Sequence, residues 1–115
     1  MNPLLLGLVV LIVIVFLSRS LVRRGDVTGA RAREMVEQGA RLVDVRTSGE
    51  FAAGHLPGAF NIPLHEIDRR ARELGPKERP IVVYCLSGHR SHRARGILTA
   101  AGFSAVHDLG AMRYW

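Results

Sequence analysis

Pro80-Ile81-Val82-Val83-Tyr84-Cys85-Leu86-Ser87-Gly88-His89-Arg90-Ser91 decides the fold. Its opening is a compact apolar run of strand formers, the kind that a central parallel strand buries on both faces. After Cys85 the chain turns polar, bends at Gly88, and enters a helix predicted from about Ser91 to Ala101 and closed by Gly102. Strand, tight loop and helix in that order put Cys85 at the carboxyl end of a strand, where open α/β sheets bind their ligands. Such a loop, Leu86, Ser87, Gly88, His89, Arg90 and Ser91, turns successive backbone N–H groups toward one point, and the helix adds its positive end. A thiolate there is stabilised and reactive at neutral pH. Arg90 can close the ring or hold an oxyanion beside it. A lone cysteine after a strand is by itself more often an inert small hydrophobe. The polar, glycine-containing loop and Arg90 reverse that preference.

Working outward, the same alternation repeats. Thr28 caps a helix over about residues 30–37 that stops at Gly39. Residues 41–45 read as a strand, 49–53 as a short helical turn, and 59–62 as a second strand. Leu64, Ile67, Ala71 and Leu74 carry the 3–4 spacing of an amphipathic helix, ended by Gly75-Pro76. Residues 104–107 form the last predicted strand. Strand–helix alternation of this kind implies an α/β fold with a mainly parallel central sheet flanked by helices.

The chain has 115 residues and a net charge of +6, from 16 basic and 10 acidic side chains. Setting aside Arg19, Arg23 and Arg24 takes the 16 to 13, against the same 10 acidic residues, a net of +3. The remainder shows no basic stripe or aromatic platform, so nucleic acid is not an expected partner. The single cysteine forms no internal disulfide, and any sulfur bound to it must leave to an outside acceptor.

Residues 1–25 stand apart from the rest. Pro3–Leu17 is apolar all round except at Gly7, unlike an amphipathic core helix. A cleaved signal peptide would need a basic residue before the run and a small-residue cleavage site directly after it. The pattern instead predicts a single transmembrane helix with membrane contact over residues 3–22. Residues 1–25 are then the anchor with its basic flank, and 26–115 the domain. Because Arg19, Arg23 and Arg24 follow the run, the expectation is an inner (cytoplasmic) membrane location with the domain in the cytoplasm.

Several separated motifs together resemble the single-domain rhodanese family. Asp44-Val45-Arg46, Glu50-Phe51 and Gly54-His55-Leu56-Pro57-Gly58-Ala59-Phe60-Asn61-Ile62-Pro63 are similar to its first signature, and the Cys85–Ser91 loop to its catalytic loop. Leu109-Gly110-Ala111-Met112-Arg113-Tyr114-Trp115 resembles its carboxyl-terminal motif, with Ala111 in place of a second glycine. The resemblance implies double displacement. Cys85 takes a sulfane sulfur from a small donor such as thiosulfate, or from a persulfide, and passes it to a thiol, a sulfur-accepting protein or cyanide. It implies no cofactor. Asp44 would fix the loops around the site, Arg46 with Glu50 would form a supporting polar network, and Trp115 would close the domain beside the pocket. Leu86 departs from family members that use thiosulfate well, which place a cation there.

Rival readings follow from the same residues. His89, His92 and Cys85 suggest a metal only weakly, since structural sites draw four ligands. His55 fits a turn-ordering role. Cysteine phosphatases and arsenate reductases share the fold but place five residues between cysteine and arginine, whereas four separate Cys85 from Arg90. A non-catalytic, membrane-tethered docking module would be expected to lack the nucleophile, which is present here.

Overall fold

The computed structural model describes residues 1–115, the side chain of Ser20 apart. Four parallel strands form one sheet in the order β2-β1-β3-β4: β1 Arg41–Asp44, β2 Phe60–Asn61, β3 Ile81–Cys85 and β4 Val106–Ala111. Helices α2 (Gly29–Glu37), α3 (Ser48–Ala53), α4 (Ile67–Arg70) and α5 (His89–Ala100) connect and flank them. This is the α/β architecture expected from the alternation in sequence.

β3 is buried along its whole length, and its period of two divides the core. Ile81, Val83 and Cys85 point into the layer built with Ile67 of α4 and with Ala94 and Leu98 of α5. Val82 and Tyr84 point into the opposite layer, with Ala32 and Met35 of α2. Cys85 is therefore placed by packing as well as by its loop.

Three elements differ from expectation. Residues 64–74 are not one α-helix: a 3₁₀ turn at Leu64–Glu66 leads into α4, and a second follows at Ala71–Leu74. The apolar spacing suits both, because residues three apart eclipse in a 3₁₀-helix. α5 begins two residues before Ser91, with Gly88 at its N-cap in the left-handed region (φ 97°). β4 runs four residues beyond His107, through Gly110 (φ 83°), and a register shift opposite Val83/Tyr84 absorbs the irregularity.

The amino-terminal helix α1 spans Pro3–Ser20, with Pro3 at its start and Asn2 capping it. The expected transmembrane segment over residues 3–22 is corrected: among the described residues no helix is long and apolar enough to cross a membrane. The reason is length. Leu21 is already the C-cap, and Arg19 charges the last turn. Pro3–Ser18 at about 1.5 Å per residue reaches roughly 24 Å, against a hydrocarbon core of about 30 Å. Past the cap, the chain returns to the domain, and Arg24 makes an antiparallel bridge to Gly110 beside β4.

Candidate active site

The site is assembled at the carboxyl end of β3. Cys85 is fully buried. The Gly88 N–H donates to its Sγ at 3.0 Å and the Ser91 N–H at 3.4 Å. The left-handed Gly88 lets the chain turn sharply into α5, so both amides converge where the helix is positive. Ser91 is buried as well; its Oγ lies 3.7 Å from Sγ and donates to the Gly88 carbonyl at 3.1 Å. Leu86, by contrast, is 55% exposed at the loop's edge.

Arg90 is committed to Glu50. Its Nη1 donates to Oε1 at 2.6 Å and its Nη2 to Oε2 at 3.0 Å. The hydrogen bond from Arg90 holds the Glu50 carboxyl down at about 2. Glu50 is presented by the capping box of α3, in which its N–H donates to Thr47 Oγ1 and its carboxylate accepts from the Thr47 N–H. Arg90 thus braces the loop against α3, with two of its donors already occupied.

Arg46 does not join Glu50, as expected from sequence, but pairs with Asp44. Nη2 donates to Oδ2 at 2.8 Å and to the Gly54 carbonyl at 2.6 Å, while the Arg46 N–H reaches Asp44 Oδ1 at 2.8 Å. Two residues apart on an extended chain, their side chains share one face, so the short-range partner wins. Asn61 closes this end of the sheet by donating to the Asp44 and Arg46 carbonyls. His55 stacks on Phe51 and bonds its carbonyl.

Trp115 is placed away from the sulfur. It packs with the α2 layer, beneath Arg33, whereas Cys85 belongs to the α4/α5 layer. His89 and His92 diverge toward the amino-terminal segment: His89 Nε2 faces the Leu21 carbonyl and His92 Nδ1 faces Arg23. Among the described residues no group of three His, Cys, Asp or Glu side chains is placed to hold a metal ion. A cleft of about 320 Å³ lies beside the loop, lined by Val45, Leu64, His65, Arg90, Arg93 and Ile97 among others, but Cys85 does not line it.

Sequence reasoning passed over Asp108. It is buried on β4, accepts from the Gly110 N–H at 2.8 Å, and burial raises its carboxyl above the ordinary range. An aspartate two residues before a glycine reads as a turn, so no local signal marked it.

Comparison with known proteins agrees with this geometry. The family description "Rhodanese-like domain" matches residues 28–115. A protein named sulfurtransferase from Allochromatium vinosum is 43% identical over 75 residues, covering 64% of this chain and 69% of that protein. The thiosulfate sulfurtransferase GlpE of Pseudomonas syringae is 36% identical over 86 residues, covering 74% of this chain and 80% of GlpE. The human single-domain sulfurtransferase TSTD1 superposes with a TM-score of 0.70 at 31% identity, over 77% of this chain and 92% of that structure. With the buried cysteine, the converging amides and the parallel sheet in place, the chain belongs to the rhodanese-like sulfurtransferase family.

Proposed function

We propose that the protein transfers sulfane sulfur through a persulfide on Cys85. The observation that carries this reading is the convergence of the Gly88 and Ser91 N–H groups on Sγ at the start of α5. Donors preorganised around a buried sulfur stabilise negative charge there without reorganisation. In the first step the Cys85 thiolate attacks the outer sulfur of a donor such as thiosulfate. A new S–S bond forms, the donor's S–S bond breaks, and its electron pair leaves with sulfite. In the second step an acceptor thiolate attacks the outer persulfide sulfur and the electron pair returns to Cys85. A persulfide donor enters the first step in the same way, and cyanide can serve as acceptor. Intact mass of the protein after exposure to thiosulfate tests the proposal: a gain of one sulfur, about 32 Da, is expected on wild type and none on Cys85→Ser. Sulfur retained by the serine variant would exclude Cys85 as the carrier.

A phosphatase reading is disfavoured by the loop. Among the described residues two amides reach Sγ, and Glu50 occupies two donors of Arg90 that a phosphoryl group would need.

Location is a separate inference. Leu4, Leu8, Ile12 and Phe16 are exposed, as are the apolar residues on the other faces of α1. An apolar surface of this extent is unstable in water. We infer that α1 rests against the inner membrane without crossing it, its apolar side chains in lipid, with Arg19, Arg23, Arg24 and the domain on the cytoplasmic side. Carbonate washing should leave the protein in the membrane fraction, and a periplasm-dependent reporter fused after Trp115 should stay silent. Release by carbonate would overturn the anchoring, and an active reporter the orientation.

A further inference from the structure

Residues 21–26 precede the rhodanese match, yet they run across the catalytic loop. Arg23 is wedged between that loop and the end of β4: its N–H donates to the Ser87 carbonyl at 2.6 Å, and its own carbonyl accepts from the Ala111 N–H at 3.1 Å. Two glycines make the space. A Cβ on Gly88 would fall 2.3 Å from the Arg23 oxygen, and one on Gly110 2.4 Å from it. Gly25 seats the next turn, where a Cβ would stand 1.7 Å from the Asp108 oxygen. At Arg23 the close fit comes from backbone contacts and from the missing side chains of Gly88 and Gly110.

The Ser87 carbonyl held by Arg23 belongs to the same peptide group as the Gly88 N–H, which donates to Cys85 Sγ at 3.0 Å. That peptide is trans, so its C=O and N–H point in opposite directions. Fixing the oxygen aims the hydrogen. The two bonds form one chain, from Arg23 N–H to Ser87 C=O and from Gly88 N–H to sulfur, in which each bond polarises the next.

We propose that Arg23 is a positioning residue for the sulfur chemistry, acting through its main-chain N–H to aim the Ser87–Gly88 peptide at the anionic sulfur of Cys85. This rests on the reading of Cys85 as the sulfur carrier. It makes the segment that joins α1 to the domain a working part of the active site. The Arg23 guanidinium takes no part in the chain; its Nη2 lies 3.4 Å from His92 Nδ1.

The test uses the full chain in detergent and compares Arg23→Ala, which keeps the N–H, with Arg23→Pro, which lacks it. Persulfide formation from thiosulfate should be within twofold of wild type in Arg23→Ala and about tenfold slower in Arg23→Pro. The Gly88 amide proton resonance should move upfield in Arg23→Pro and hold its place in Arg23→Ala. That resonance depends on the hydrogen-bond chain and not on turnover. If wild type takes up no sulfur, the sulfur-carrier reading fails while the resonance still decides the role of Arg23. Should Arg23→Pro lose its fold by circular dichroism, Gly25→Ala serves instead, because it lifts the segment from Asp108 without altering the loop. An unmoved Gly88 resonance in the folded variant, or equal losses in Arg23→Ala and Arg23→Pro, would overturn the proposal.

Discussion

Glu50 and Arg90, forty residues apart in sequence, meet in a two-bond ion pair that ties the cap of α3 to the first turn of α5. One carboxylate therefore starts a helix and braces the loop that follows Cys85. Both side chains are about a third exposed, so the pair's contribution is modest in energy and mainly geometric.

The pair has a signed consequence for pH. Glu50 is held near 2 in the folded protein, below its ordinary 4.5. A depressed carboxyl adds stability that is present above 4.5 and is lost as pH falls toward 2. Thermal melts of wild type should therefore decline through that window more steeply than those of Glu50→Gln. Parallel declines would show that the pair is not formed in solution.

Arg90→Ala should slow persulfide formation and discharge alike, because Arg90 spends two donors on Glu50 and braces the loop instead of binding the donor. A double-mutant cycle with Glu50→Ala should return a coupling of about 0.5–1 kcal/mol. Selective slowing of the step that brings an anionic donor would instead give Arg90 a direct contact with that donor.

How much of this was legible in sequence depends on what carried each feature. β3 and its loop were legible because burial on both faces of a strand and a glycine before a helix leave local marks. β4 was cut short because Asp108 and Gly110 read as breakers, and only the pairing with β3 and the bulge accommodate them. Arg46 and Glu50 each take another partner, Asp44 and Arg90, since sequence shows which charges exist but not which of them the fold brings together. The Arg23 contacts were invisible for a different reason: main-chain hydrogen bonds carry no residue code, and their only trace is glycine at positions 25, 88 and 110.

Asp44 and Arg46 give a prediction on stability. Both side chains are almost wholly buried, and they satisfy one another. Asp44→Ala strands a buried guanidinium and should cost about 3 kcal/mol or more in urea unfolding. Arg46→Met strands the carboxylate but restores some packing, so its loss should be smaller. Near-neutral behaviour of Asp44→Ala would mean that the charges reach water.

The last prediction concerns Leu86, which follows Cys85 and is 55% exposed. A dianionic donor approaching Cys85 meets no cation at that position, and the nearby Arg90 is already paired with Glu50. Leu86→Lys places a positive charge there without disturbing the core, because the leucine is not part of either apolar layer. Two unit charges about 4 Å apart attract by roughly 1 kcal/mol in water and more near a protein surface. The variant should therefore lower the KM for thiosulfate several-fold, and the gain should shrink as salt is raised. An alkyl persulfide carries at most one negative charge against the two of thiosulfate, so the lysine should raise its rate less than it raises that with thiosulfate. That contrast separates electrostatic capture of the donor from a general change in the loop. An equal gain with both donors, undiminished by salt, would point to altered loop geometry, and a gain with neither would show that Leu86 lies off the donor's approach to Cys85.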